Sequence, residues 1–197
     1  MRNPDLLLYM VHVAFWASFG MTRRSLHRKP HSDPGSVATS QEYTAPFSRT
    51  VLAFHMLGFG VLYFGIGNAV IPRRVPTWFA GQRIVGTLVI ALGAALMSWA
   101  LLSFHSWRFR AKLDEGHQLA TNGAFRLMRH PIYTGLTLLA LGSAIWAPTA
   151  IIWSGFALIA IGSELRARSE EVVLKQAFGD AYVEYAKRTR RFVPFVY

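Results

Sequence analysis

Two polar clusters in this chain carry residue types suited to gripping a charged small molecule. The segment GHQLATNGAFRLMRHPIYTG, Gly116 to Gly135, ends in Arg129-His130-Pro131 just where an apolar run begins. The segment Arg166-Ala167-Arg168-Ser169-Glu170-Glu171 starts just where the next apolar run ends. Pro131 suits the first turn of a helix and pushes His130 toward an extended conformation. The N–H groups of Ile132 and Tyr133 then lie at a helix N-terminus, beside the positive end of its dipole, where a carboxylate or another anion is stabilised. An interfacial cap explains this segment equally well, with Arg129 and His130 meeting lipid phosphates and Tyr133 in the aromatic belt. Arg166 and Glu170 are four residues apart and share one helix face. On a solvated helix such a pair contributes only a few tenths of a kcal/mol. Beside the Arg-His-Pro turn, the same carboxylate and guanidinium can grip two different ligands, one cationic and one anionic.

The elements that must position these groups are hydrophobic segments. The chain is 52% hydrophobic and 16% charged, well below the charge content of a soluble domain. Apolar runs occupy Leu6–Met21, Val51–Ile71, Ile84–Phe104, Thr134–Ala147 and Ala150–Ile161. The second and third approach the length that crosses a bilayer as helix. The last two are short and flank Ala147-Pro148-Thr149, the pattern of a tight helical hairpin over 131–162. The first run has only Arg2 before it and no small-residue cleavage pattern ahead of Arg23-Arg24, so it is expected to remain as an anchoring helix. The fold expected is an all-α polytopic membrane protein of five transmembrane helices. Residues 1–112 hold three of them with the loop 22–49. Residues 113–197 hold the polar loop, the hairpin and the C-terminal helices.

Basic residues are unevenly shared between the two sides of this arrangement, 17 on the side of loop 22–49 and the tail against 4 on the other. The positive-inside rule places the N-terminus outside and the long loops and tail in the cytoplasm. Orientation therefore accounts for the net charge of +11, and nucleic acid is not expected as a partner. There is no cysteine, which removes disulfides, thiolate metal sites and a cysteine nucleophile; no metal is expected. Gly58 and Gly65, Gly60 and Gly67, and Gly86 and Gly93 are each seven apart, as expected for close helix packing in lipid. After Ile161, SELRARSEEVVLKQAF is expected to be helical, with Leu165, Val172 or Val173, and Phe178 as its apolar stripe. The loop 22–49 carries no interpretable motif.

The loop, the apolar hairpin, RARSEEVVLKQAFGDAYVEY and the closing Arg191-Phe192-Val193-Pro194 together resemble the isoprenylcysteine carboxyl methyltransferase family, over about Leu113–Pro194. They are also similar to the wider set of integral-membrane methyltransferases that includes the phospholipid N-methyltransferases. The resemblance makes residues 113–197 the catalytic region and implies methyl transfer from S-adenosylmethionine in a pocket capped by the C-terminal helices, with S-adenosylhomocysteine as product. His117, Gln118, Leu119, Ala120 and Phe125 would line the cofactor pocket, with His130, Pro131, Ile132 and Tyr133 adding contacts. Glu170 would grip the cofactor and Arg166 would face the acceptor. Arg129, Gly135 and Glu171 would support them. Phe125 stands where the family often has Tyr, and Ala120 where Val is usual. No catalytic base is assigned, because holding the nucleophile and methyl in line accounts for much of the acceleration.

The acceptor expected is lipophilic and enters from the bilayer, first a prenylated cysteine carboxylate or a related small molecule, then a phospholipid amine. A sterol-reductase-like enzyme using NADPH, with a similar Arg-His-Pro pattern, and a non-enzymatic lipid-binding scaffold are the alternatives. The membrane would be the plasma or inner membrane in a bacterium and the endoplasmic reticulum in a eukaryote.

Overall fold

The computed structural model describes residues 6–27, 43–44, 47–71, 75–103, 112–113 and 119–197. Most of it lies in six α-helices: α1 (Leu6–His27), α2 (Ser48–Val70), α3 (Gln82–Ser103), α4 (Pro131–Trp146), α5 (Ala150–Phe178) and α6 (Asp180–Arg188). Two short strands, β1 (Tyr43–Thr44) and β2 (Lys112–Leu113), pair antiparallel and tie the segment after α1 to the segment after α3. The 22–49 region is thus shorter as a loop than expected, since α1 runs on to His27 and α2 starts at Ser48. Most of it lies outside the described residues.

Three helices, α2, α3 and α5, are long and apolar enough to cross a membrane. α4 has 16 residues, about 24 Å of helix, shorter than the roughly 30 Å of a bilayer core. α1 is long enough but more polar, and its buried face carries His12. His12 Nδ1 lies 3.0 Å from the Tyr63 hydroxyl and Nε2 lies 2.9 Å from Ser143 Oγ, while Trp16 Nε1 donates to the same tyrosine at 2.6 Å. This bonded cluster joins α1 to α2 and α4, so a polar group inside the bundle is satisfied rather than stranded.

Glycine sets the helix pairs. A Cβ on Gly86 would meet the Gly142 carbonyl oxygen at 2.6 Å, and one on Gly93 would meet that of Gly135 at 2.7 Å, so α3 and α4 touch backbone to backbone. Gly58 and Gly65 do the same for α2 against α5, at Ile159 and Ile152. Gly60 and Gly67 do not: nothing lies within 4 Å of the first, and only the Tyr9 hydroxyl is near the second. They sit two residues further on, roughly 200° round the helix from the contact face.

α5 is one unbroken helix of 29 residues, about 43 Å, not a short apolar arm followed by a separate helix. Its first half packs in the bundle and its second half carries Arg166 to Glu171 beyond the apolar stretch. In that second half the expected apolar stripe is partly wrong. Leu165 and Val172 are exposed, whereas Arg166 and Ala167 are buried with Val173. Arg166 can turn inward because its charge finds partners there.

Candidate functional site

The first turn of α4 and the second half of α5 meet at one end of the bundle. α4 begins at Pro131, and its first backbone bond runs from the Thr134 N–H to the His130 carbonyl. The Ile132 and Tyr133 N–H groups therefore precede the helical ladder, as the sequence predicts. His130 has φ −126° and ψ 57°, outside the helical region, and no side chain caps this helix.

Tyr133, Arg166 and Glu170 form a bonded triangle. The Tyr133 hydroxyl donates to Glu170 Oε1 and accepts from Arg166 Nε at 2.8 Å. Arg166 Nη2 stands 3.6 Å from the same carboxylate oxygen, and its guanidinium lies 5.3 Å from the centre of the Tyr133 ring. Arg166 is only 9% exposed, so this is not a solvated surface pair. The Glu170 side chain keeps 25% of its surface open, enough for an incoming cation to reach it.

His130 bridges the two adjacent glutamates. It is buried, with Nε2 3.3 Å from Glu171 Oε1 and Nδ1 3.8 Å from Glu170 Oε2. An ionised carboxylate only accepts, so the imidazole supplies the proton in the shorter contact.

Glu171 has a different set of partners from Glu170. Arg129 Nε donates to it at 2.9 Å, and Arg191 grips both its oxygens, Nη2 to Oε2 at 2.7 Å and Nε to Oε1 at 3.0 Å. Arg191 also donates to Glu164 Oε1 at 2.8 Å, where the Tyr197 hydroxyl donates at 2.9 Å. Its hydrogen bonds to Glu171 push the Arg191 guanidinium above its ordinary pKa, against the opposing effect of burial. Backbone bonds complete the attachment. The Arg129 N–H donates to the Arg190 carbonyl at 2.7 Å and the His130 N–H to that of Arg191 at 3.0 Å. Thr134 Oγ1 donates to the Phe192 carbonyl at 3.1 Å, and Arg129 Nη1 to the Ala186 carbonyl at 3.0 Å near the end of α6. The tail is thus strapped across the start of α4.

A 3-10 turn at Gly123–Arg126 leads into this strap. Gly123 has φ +58°, and a Cβ there would lie 1.9 Å from Ser103 Oγ, so only glycine fits. Phe125 is buried in the apolar core, and its carbonyl accepts from the Tyr185 hydroxyl at 2.8 Å. Burial raises the Tyr185 phenol to about 12. Leu119 and Ala120 are half-buried on the approach to the turn, Ala120 packed against the core. His117 and Gln118 lie outside the described residues.

The structure brings Arg129, His130, Tyr133, Arg166, Glu170 and Glu171 into one bonded cluster, with Pro131 and Ile132 buried beneath it. Gly135 is close by for another reason: a Cβ there would sit 2.8 Å from the Gly93 carbonyl, so it serves the α3–α4 contact. Sequence reasoning gave Arg191 no role beyond its place in the closing motif, and gave none to Glu164, Tyr185 or His55. His55 of α2 is 1% exposed, with its ring 6.1 Å from Tyr133 and its Nε2 3.4 Å from Ser163 Oγ. No periodicity marks such partners, because they come together only through tertiary packing.

The chain is similar to known proteins across this whole region. A family model described as phospholipid methyltransferase matches residues 82–181, from the start of α3 into α6. A probable protein-S-isoprenylcysteine O-methyltransferase of Oryza sativa subsp. indica is 26% identical over 195 residues, covering 93% of this chain and 92% of the relative. Protein-S-isoprenylcysteine O-methyltransferase B of Arabidopsis thaliana is 34% identical over 116 residues, 56% of this chain and 58% of the relative. The Saccharomyces cerevisiae protein-S-isoprenylcysteine O-methyltransferase is 23% identical over 200 residues, 99% of this chain and 81% of its own.

Proposed function

The chain belongs to the phospholipid methyltransferase family, with relatives named as isoprenylcysteine O-methyltransferases, and from that premise we propose that it methylates a lipophilic carboxylate with S-adenosylmethionine. It is a membrane methyltransferase, and a reaction of that kind needs a methyl donor. The observation that carries the choice of donor is the partly open Glu170 carboxylate beside the unladdered N–H groups of Ile132 and Tyr133. A zwitterionic amino-acid end needs that pair, an anion for its ammonium and N–H donors for its carboxylate.

Glu170 would hold the ammonium group, and Ile132 and Tyr133 would take the carboxylate. Phe125, Leu119 and Ala120 would form the apolar wall, with His117 and Gln118 on the same loop. His130 and Pro131 set the direction in which the helix start points. When bound, the donor supplies an electrophilic methyl on a sulfonium, and S-adenosylhomocysteine leaves as a neutral thioether once a nucleophile takes the methyl. Arg166 would orient a carboxylate acceptor, which is already an anion and needs no general base. The strapped tail would keep water from the reacting atoms. Arg129 and Glu171 would hold that strap in place.

The named relatives favour the carboxylate of a prenylated cysteine, and the buried Arg166 is the residue that fits it. The family description favours a phospholipid amine as second reading. In either case the acceptor enters from the bilayer, the N-terminus lies outside and the Glu170 cluster faces the cytoplasm, on the side holding 17 of the 21 basic residues.

Calorimetric titration of the detergent-solubilised protein with S-adenosylhomocysteine tests the donor. Wild type binds and Glu170→Ala binds at least about tenfold more weakly, the loss of one charge-assisted contact. No binding by folded protein, or equal binding by the variant, would overturn the reading. Membranes labelled with isotopic methyl donor then discriminate the acceptors. Alkali releases the label as methanol from a carboxyl ester and leaves it on a methylated amine.

A further inference from the structure

A second charged feature lies outside the Glu170 cluster and takes no part in the proposed reaction. Trp99, Arg126, Leu127, Arg188, Arg190 and Phe195 line a cleft of about 510 Å³, with Lys187 and Gly123 completing its wall. Lys187 is paired with Glu184 at 2.6 Å. Among the described residues, Arg126, Arg188 and Arg190 have no carboxylate within ion-pairing distance, and all three are exposed. Three unpaired guanidinium groups around one concavity leave a positive field that an anion relieves, and the planar guanidinium is matched to phosphate oxygens.

The apolar members of the cleft say where that anion comes from. Trp99 stands near the end of α3, a helix able to cross the membrane, and is 45% exposed. On the preceding turns of the same helix face lie Leu88 and Leu92, each more than half exposed, which form an apolar stripe running up to the cleft, and Leu102 stands one turn beyond Trp99. Leu127 and Phe195 are also exposed, Phe195 at 91% with φ 66°, a left-handed backbone that L residues rarely adopt. A tryptophan at the end of a spanning helix belongs at the headgroup level. Arginines beside it and an acyl-compatible stripe leading away from it match the two halves of one lipid.

We propose that this cleft binds the phosphate of an anionic membrane phospholipid, with Arg126, Arg188 and Arg190 on the headgroup and Trp99 and the α3 stripe along the acyl chains. The site lies on the basic side of the protein, where anionic leaflet lipids attract cations. Because Arg190 also lends its backbone carbonyl to Arg129, a bound headgroup fastens the outer edge of the tail strap. The site does not depend on the methyl-transfer reading.

Calorimetric titration of the solubilised full chain with short-chain phosphatidylglycerol, short-chain phosphatidylcholine and inorganic phosphate tests it. Phosphatidylglycerol binds saturably, phosphatidylcholine binds far more weakly, and inorganic phosphate gives no saturable heat. The triple variant Arg126→Gln, Arg188→Gln, Arg190→Gln loses on the order of 100-fold in affinity for phosphatidylglycerol, near a fivefold factor per cation. Circular dichroism and elution volume establish that the variant is folded; should it not be, Arg188→Gln alone shows the fivefold loss. Trp99→Ser keeps the charges and also weakens phosphatidylglycerol binding. Equal binding of the two lipids, an unaffected triple or single variant, or inorganic phosphate binding as tightly as phosphatidylglycerol would each overturn the proposal.

Discussion

Replacing Glu171 by Gln is expected to release the tail while sparing the start of the donor site. Glu171 is the only acceptor shared by Arg129 and Arg191 among the described residues, and the imidazole of His130 also leans on it. The side chains of Glu171, Arg129 and Arg191 are 16%, 14% and 17% exposed, so the charges are mostly but not wholly removed from water. Breaking a fully buried pair costs 3–5 kcal/mol, whereas exposed pairs give at most about 1. An intermediate burial argues for about 2 kcal/mol, which corresponds to roughly a 30-fold shift in the opening of the strap. The amides that report it are those of Arg129 and His130, which donate to the carbonyls of Arg190 and Arg191. Hydrogen exchange followed by mass spectrometry should show both accelerating by about that factor in Glu171→Gln, with residues 189–197 more open to carboxypeptidase. Glu170→Gln should not accelerate these amides and should weaken S-adenosylhomocysteine binding instead. Unchanged exchange in Glu171→Gln, or equal acceleration in Glu170→Gln, would refute the division of labour between the two glutamates.

Tyr133→Phe removes the hydroxyl that donates to Glu170 and accepts from Arg166, and roughly a 30-fold loss of methyl transfer is expected from two bonds of about 1 kcal/mol each, with helix content unchanged by circular dichroism. Gly142→Leu places a side chain where a Cβ alone would lie 2.6 Å from the Gly86 carbonyl, so α3 and α4 must separate; a loss of about 3 kcal/mol or more should appear as a lowered midpoint in thermal unfolding. The neutral Tyr185 phenol is favoured in the fold and titrates at about 12, against about 10 when unfolded. Its contribution is therefore whole below pH 10 and lost as pH rises toward 12, so stability measured by denaturant unfolding should fall with alkali less steeply in Tyr185→Phe than in wild type.

What could be read from the sequence follows from which interactions are local. Pro131 fixes the helix start, glycines seven apart mark close faces, and a four-residue interval puts Arg166 beside Glu170; each is a statement about one helix. The long unbroken α5 was less legible because its composition changes from apolar to charged at Gly162 while its backbone does not. Periodicity also misjudged Leu165, since it ranks residues by hydrophobicity, whereas the inward place beside it goes to Arg166, whose guanidinium the Tyr133 hydroxyl satisfies. Gly60 and Gly67 show the same limit, for spacing identifies a face without saying whether another helix lies against it.

The adjacent glutamates make the point most sharply. Glu170 and Glu171 are chemically identical neighbours, and although spacing and resemblance set Glu170 apart from a supporting Glu171, neither says which partners Glu171 takes. Successive helical residues differ by roughly 100° in direction, so the two carboxylates leave α5 toward different partners. One meets a tyrosine and an arginine of the bundle and stays partly open; the other meets arginines from the α4 start and from the tail. His130 touches both, so its imidazole couples the strap to the open carboxylate. A ligand that pulls Glu170 away from His130 is therefore expected to leave His130 to Glu171 alone and to draw the strap tighter. Bound S-adenosylhomocysteine is thus expected to slow exchange at the Arg129 amide in wild type, and substituting His130 by Asn should remove that slowing; undiminished slowing in the variant would mean that the coupling runs through other contacts.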